Sequence, residues 1–183
     1  CTLPRTPAVY SLKTKRRKYE DSMYKADMQN YQSAETAGPA IRKQFLEEQA
    51  LEMMTEYRLA AAKERYPGDS LRIAAQGAIA KSADEWRILH DATHGVMSNP
   101  EIEVRGQLEF AGPGDIAATM ECSKLEKPGV HFAIAADVWH AHRLVLHAER
   151  DWGLMACRDG TDPDSIWLNH VGTFGFSSIA YWW

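Results

Sequence analysis

The sequence predicts an α+β protein, because helical and strand-like patterns occupy separate stretches of its 183 residues. Apolar residues recur at helical spacing through 38–61, and a turn signal at 66–69 ends that pattern. Two strand-like runs follow at 71–80 and 86–91, and the polar segment 81–85 between them predicts a β-hairpin. Hairpins pair antiparallel, so we expect a mostly antiparallel sheet, and 45% apolar residues suffice for a sizeable core.

The longest predicted helix begins at Gly38 and Pro39. Proline suits the first turn of a helix, where its missing N–H is not needed. The apolar residues of this segment are spaced by one, three or four positions and form one helical face: Ile41, Phe45, Leu46, Ala50, Met53, Met54, Tyr57 and Ala61. The pattern therefore predicts a single long helix in the N-terminal half of the chain.

The second half of the chain has weaker patterns. A short helix is predicted over 113–122, after Gly112. The run 130–137 is apolar and ends in Asp137, which predicts a buried strand whose last residue emerges from the core. Two more strands are predicted at 153–158 and 166–171, with a loop over 159–164 between them. A final helix is predicted from 177 onward.

Charge is distributed unevenly along the chain, whose net charge is -4. Residues 1–18 contain six basic and no acidic residues, whereas the rest holds 15 basic and 25 acidic residues. A basic arm of this kind could contact a nucleic-acid backbone, although a solvated tail has the same composition. We expect the whole polar lead-in, 1–37, to be poorly ordered and the folded domain to comprise 38–183.

The cysteines and the hydropathy of the sequence indicate a compartment and bear on whether the protein contacts a membrane. The three cysteines lie far apart and in no metal-ligand spacing, which favours a reducing, intracellular compartment such as the cytoplasm or nucleus. No run approaches the ~20 apolar residues of a membrane helix, so no membrane partner is expected. Because the chain starts at Cys1 and stops after an apolar run at Trp183, we expect it to be a piece of a longer polypeptide.

Asp137 is the first candidate for chemistry. A carboxylate at the end of a core strand can offer oxygen ligands to a hard cation such as Mg²⁺. Phosphoryl transfer uses such ions to neutralise phosphate charge and to activate the attacking oxygen. By itself the pattern also allows a turn cap or a salt-bridge partner.

Residues 137–142, Asp-Val-Trp-His-Ala-His, resemble the first palm motif of reverse transcriptases. In that motif an aspartate is followed by a small residue four positions later and by an aromatic residue five positions later. The resemblance implies that Asp137 is the catalytic ligand of Mg²⁺ or Mn²⁺. It also implies that Ala141 and His142 lie under the sugar of the incoming nucleotide, where the family usually has Tyr or Phe in place of His142.

Two further segments are similar to the same family. Residues 171–182 resemble the second palm motif, in which Phe174 and Gly175 would lie beside the nucleotide and the templating base. The segment 77–91 resembles the fingers hairpin, in which Lys81 and Arg87 would contact the triphosphate and Asp91 would hold the loop. Considered without the resemblance, Lys81 and Arg87 could equally be solvated hairpin charges.

The resemblance implies the fingers and N-terminal palm of an RNA-directed DNA polymerase from a retrotransposon-like polyprotein. Its partners would be an RNA or DNA template-primer, deoxynucleoside triphosphates and the other domains of the parent polyprotein. The third palm motif, which carries paired aspartates, does not occur in the sequence. Since two-metal catalysis needs more than one carboxylate, we expect the chain alone to be inactive.

Two other interpretations remain open. A catalytically dead retroelement remnant would act at most as a nucleic-acid-binding module through its basic arm. Alternatively, His140 and His142 with Asp137 and His147 could bind zinc or iron in a metal-dependent hydrolase.

Overall fold

The computed structural model describes residues 23–82, 85–102, 111–127, 129–132, 134, 136–176 and 179. The chain divides into two compact units. The smaller consists of Cys1–Thr14 and Arg105–Trp139, and the larger of Lys15–Val104 and His140–Trp183. In the part of the chain that the structure describes, no helix combines the length and apolar character that crossing a bilayer requires.

In its described residues, the larger unit combines short helices with six strands. Its helices are α1 (Gln32–Thr36), α2 (Gly38–Ala50), α3 (Leu59–Arg65) and α4 (Ser98–Glu101), and its 3-10 turns are Gly68–Ser70, Ala141–Leu144 and Glu149–Met155. Its strands are β1 (Met54–Arg58), β2 (Ile73–Ala74), β3 (Gln76–Ala80), β4 (Trp86–His90), β5 (Ala156–Cys157) and β6 (Ser165–Asn169). The smaller unit contains α5 (Pro113–Glu126).

Strand pairing confirms the α+β class and a mostly antiparallel sheet. The four-stranded sheet has the order β1-β6-β5-β2, with β1–β6 and β5–β6 antiparallel and β2–β5 parallel. Strands β3 and β4 form a separate antiparallel hairpin in which Gln76 lies opposite His90 and Ala80 opposite Trp86. The predicted hairpin is thus confirmed, but the predicted strand 71–80 is divided between two sheets, since β2 pairs with β5 and β3 with β4.

The single long helix predicted from Gly38 is wrong beyond Ala50. Glu52 has a φ of 60°, which reverses the chain, and the N–H of Met53 bonds back to the carbonyl of Glu48. The following segment forms β1, which pairs with β6 along its whole length. Pairing with a distant strand therefore overrides the local helical pattern. Thr55, which is β-branched, and the aromatic Tyr57 both suit a strand.

The central strand β6 is buried on both faces. Trp167 packs on one side with Phe45 of α2, their ring centroids 5.4 Å apart in an edge-to-face contact. Ile166 and Leu168 pack on the other side with a second cluster that includes Ile73. Alternation along one strand thus joins two apolar layers. The predicted core face of α2 is confirmed at Ile41 and Phe45, but it is wrong at Leu46 and Ala50, which are exposed.

The smaller unit departs from the sequence prediction after α5, which confirms the helix predicted over 113–122 and extends beyond it. The described residues of 130–137 form no strand, so the predicted buried strand is wrong there. Val130, Phe132 and Ile134 are 95%, 80% and 82% exposed. An isolated apolar run gains strand structure only when a neighbour pairs with its backbone, and no described residue does so.

The two ends of the chain are described only in part. Of the lead-in predicted over 1–37, residues 1–22 lie outside the described residues. The part from residue 23 onward includes α1, with Ala34 and Ala37 buried in the core of the larger unit. The helix predicted from 177 onward also lies outside the described residues, apart from residue 179.

Asp159 anchors the loop between β5 and β6. Its carboxylate is 2% exposed and accepts hydrogen bonds from Arg42 Nη1 at 2.8 Å and Trp167 Nε1 at 3.0 Å. The N–H and Oγ1 of Thr161 also donate to it, at 2.9 and 2.8 Å. Burial alone would raise the pKa of Asp159, but these donors, led by the Thr161 N–H, hold it below its usual value.

We expect Asp159→Ala to lower the free energy of unfolding by about 3 kcal/mol, because buried donors lose their acceptor. Urea unfolding monitored by tryptophan fluorescence measures this change. Asp162→Ala is the matched control in the same loop, since Asp162 pairs with a largely exposed Arg58. Its loss should stay below about 1 kcal/mol, and equal losses in the two variants would contradict the anchoring role.

Candidate functional site

Three segments of the larger unit bring an arginine, a histidine and a phenylalanine into contact. Arg87 comes from β4, His142 from the turn Ala141–Leu144, and Phe174 from the loop after β6. The guanidinium carbon of Arg87 lies 5.5 Å from the Phe174 ring centroid, and the His142 and Phe174 ring centroids are 3.8 Å apart. We call Arg87, His142 and Phe174 the Arg-His-Phe cluster.

The hairpin presents Arg87 to solvent. Trp86 and Ile88 pack against the core, so the intervening residue of β4 points to the opposite face. No described carboxylate forms an ion pair with Arg87, so its guanidinium N–H groups can bind an anion above the Phe174 ring.

His142 contributes a neutral ring to the cluster. It is half-buried, and burial lowers its pKa to about 4, with the charges of Arg143, His140 and Arg87 acting in the same direction. At neutral pH the imidazole therefore carries no charge beside Arg87. Its ring packs on Phe174 with the two ring planes tilted by 51°, and Phe174 is 43% exposed, which leaves ring surface accessible to a ligand.

The loop carrying Phe174 is held tightly against the end of β4. Gly175 has a φ of 108°, and a Cβ there would lie 1.8 Å from the carbonyl oxygen of His90. The N–H of His90 donates to the carbonyl of Phe174 at 2.9 Å, and Asn99 Nδ2 donates to the carbonyl of Gly175 at 2.5 Å. Only glycine fits this close approach, and the bonds on either side of it place the Phe174 ring.

Lys81 lies at the tip of the same hairpin and pairs with Glu85, with Nζ and Oε1 2.6 Å apart. This hydrogen bond and the lysine charge lower the pKa of Glu85. Both side chains are exposed, so the pair is weak and can exchange for another anion. The described contacts do not bring Lys81 to the Arg-His-Phe cluster.

Asp91 organises the loop that follows β4. It accepts hydrogen bonds from the N–H groups of Thr93 and His94 at 3.0 and 2.9 Å. Tyr31 donates its hydroxyl to the other carboxylate oxygen at 2.5 Å. This bond, together with burial, raises the pKa of Tyr31 to about 12, so the phenol stays protonated. Asp91 is thus an anchor of the loop that follows β4.

The other candidate residues include Ala141, Asp137 and His140. Ala141 opens the turn that carries His142, directly after His140, whose φ is 50°. Asp137 belongs to the smaller unit and is exposed there. The rings of His140 and His142 stack with centroids 6.4 Å apart. Among the described residues, no three His, Cys, Asp or Glu side chains are grouped so as to hold a metal ion.

Arg143 and Glu48 form a buried ion pair beside the cluster that the sequence does not reveal. They are 5% and 7% exposed and lie 95 residues apart in the chain. A local pattern records spacing within one element, so it contains no signal for a pair of this separation. The one available hint is that Arg143 stands immediately after the motif containing His142.

Comparisons with known proteins assign no family to the chain. No family model matches the sequence, and no curated protein matches it significantly.

Proposed function

We propose that this chain supplies the fingers and the first half of the palm of an RNA-directed DNA polymerase from a retrotransposon-like element. The observation that carries the proposal is the contact among Arg87, His142 and Phe174. The resemblance to reverse transcriptases assigns all three to the incoming nucleotide, although they come from segments far apart in the sequence.

The chemistry of the cluster suits a nucleoside triphosphate. A guanidinium binds phosphate oxygens through two parallel N–H donors, which favours a planar, directed contact over a point charge. Ring faces such as those of Phe174 and His142 pack against a sugar or a base. Lys81 on the same hairpin could exchange Glu85 for a phosphate oxygen at little cost, because the exposed pair is weak.

Catalysis would require Asp137 and a divalent cation, Mg²⁺ or Mn²⁺. A bound cation would neutralise charge on the phosphates and lower the pKa of the primer hydroxyl, whose proton would pass to water. The primer 3′-oxygen would attack the α-phosphorus as the bond to the leaving pyrophosphate breaks. An exposed carboxylate such as Asp137 is available for a cation. Further carboxylates must come from the third palm motif, so the 183-residue chain binds nucleotide without extending a primer.

Arg87→Ala tests the nucleotide site. We expect it to weaken binding of a deoxynucleoside triphosphate with Mg²⁺ by about tenfold to a hundredfold, because a charge-assisted contact is lost. Isothermal titration calorimetry on the 183-residue chain measures the affinity.

The control is Arg58→Ala, which removes an exposed arginine paired with Asp162 and should leave the affinity unchanged. Equal affinities in the wild type and Arg87→Ala would remove Arg87 from the site. A wild-type chain that binds no nucleotide would instead favour the catalytically dead remnant.

A further inference from the structure

Arg143 is a buried cation within the turn that carries His142. It is 5% exposed, whereas the next residue, Leu144, is 54% exposed. Its Nη1 donates to Asn169 Oδ1 at 2.8 Å and to the carbonyl of Gly172 at 3.1 Å, and its Nη2 forms an ion pair with Glu48. One guanidinium therefore contacts three acceptors.

Those acceptors belong to different elements, two of which are fixed by other bonds. Glu48 lies near the end of α2 and also accepts from Gln44 Nε2 at 2.9 Å. Asn169 ends β6 and donates to the carbonyl of Met155 at 2.9 Å. The guanidinium of Arg143 thus joins the turn to α2, to β6 and to the loop that follows β6.

The bond to Gly172 acts where the turn and the loop touch. A Cβ on Gly172 would lie 2.4 Å from the carbonyl oxygen of His142, and the Gly172 N–H donates to Val145 at 2.8 Å. His142 immediately precedes Arg143, and Phe174 follows Gly172 by two residues. Fixing the turn to the loop therefore fixes the distance between the two rings of the cluster.

The energy balance of the buried Arg143–Glu48 pair favours a role in positioning neighbouring segments over a role in stabilising the fold. Moving a charge into the interior costs several kcal/mol per ion, and the attraction within a buried pair only roughly offsets that cost. An apolar pair of similar volume could hold α2 and the turn together equally well. It could not donate hydrogen bonds to Asn169 and Gly172, and a lysine lacks the planar fork that reaches several acceptors at once.

We propose that Arg143 is a positioning residue that holds His142 against Phe174 and so sets the surface offered to the sugar of the nucleotide. The part concerning the sugar rests on the proposed function, whereas the placement of the two rings does not. Arg143 itself touches neither the ligand nor the reacting atoms in this scheme.

The double variant Arg143→Met with Glu48→Met tests the placement in the 183-residue chain. It removes both buried charges and keeps the volume, and that gain offsets the cost of leaving Asn169 Oδ1 and the Gly172 carbonyl without a donor, so the variant should stay folded. The nuclear Overhauser effects between the His142 and Phe174 ring protons should nevertheless be lost. Retention of those signals in the folded double variant overturns the proposal.

Arg143→Lys provides a second test of the positioning role, and this test applies even if the double variant does not fold. It keeps the positive charge but loses the fork, so the ring-to-ring signals should weaken. The matched control is Arg42→Lys, which alters another arginine ion pair, with Glu56 and Asp159. The control should lose stability and keep the signals. Equal loss of the signals in both lysine variants would indicate general loosening and also overturns the proposal.

Nucleotide affinity separates this inference from the proposed function. If the wild-type chain binds no deoxynucleoside triphosphate but the Arg143 variants lose the ring contact, the proposed function fails and the positioning role stands. If the chain binds nucleotide and the Arg143 variants keep the ring contact, the positioning role fails and the proposed function stands.

Discussion

Gly175→Ala is expected to lower the free energy of unfolding of the larger unit by about 3–5 kcal/mol. A side chain at a φ of 108° is strained, which costs about 1–3 kcal/mol. The added Cβ would also meet the His90 carbonyl oxygen at 1.8 Å, so the loop must move away from β4. That movement breaks the bonds from His90 to Phe174 and from Asn99 to Gly175, each worth about 1 kcal/mol.

The same movement should withdraw Phe174 from Arg87 and His142, so nucleotide affinity should fall together with stability. Urea unfolding and calorimetric titration measure the two effects. Gly114→Ala is the matched control, because a Cβ at that helical position of α5 meets nothing within 4 Å. We expect it to be neutral or slightly stabilising. A Gly175→Ala variant as stable as wild type would show that the loop tolerates a side chain.

Under the proposed function, Asp137→Asn is expected to reduce primer extension at least about a hundredfold in a polypeptide that joins this chain to a third palm motif. Asparagine has nearly the same shape as aspartate but lacks the negative charge that holds a divalent cation on the transferred phosphate. Because Asp137 is exposed, the substitution should leave the free energy of unfolding nearly unchanged. The loss would therefore report chemistry and not misfolding.

Extension of a labelled primer with Mg²⁺, and separately with Mn²⁺, measures this effect in such a polypeptide. Asp164→Asn serves as the control, since Asp164 is an exposed acid in the loop between β5 and β6. If Asp137→Asn extends the primer as well as the control does, Asp137 is excluded as a metal ligand. That result would contradict the proposed polymerase function.

Local sequence patterns predicted an element correctly where that element forms from residues close together in the sequence. The hairpin β3–β4 was predictable because two strand-like runs flank a short polar turn, and a hairpin needs no distant partner. The buried face of α2 at Ile41 and Phe45 and the helix α5 were predictable for the same reason. Such elements can be predicted from one stretch of the sequence because their interacting residues lie close together in it.

Patterns failed where the partner lies far away. The segment of β1 has helical spacing, yet β6 pairs with it, about 110 residues further on, as Met54 opposite Asn169 shows. The segment 130–137 has strand-like composition, but no described strand pairs with it. Composition reports what a segment can bury, whereas pairing depends on what the rest of the chain places beside it.

The sequence alone determined the α+β class, the β3–β4 hairpin and the choice of Arg87, His142, Phe174 and Gly175 as candidate residues. Only the tertiary structure decided that the first three touch, that His142 is neutral because it is half-buried, and that a buried Arg143–Glu48 pair lies behind them. The physical reason is that contact, burial and charge pairing are properties of groups brought together from distant segments, and a linear pattern records only neighbours.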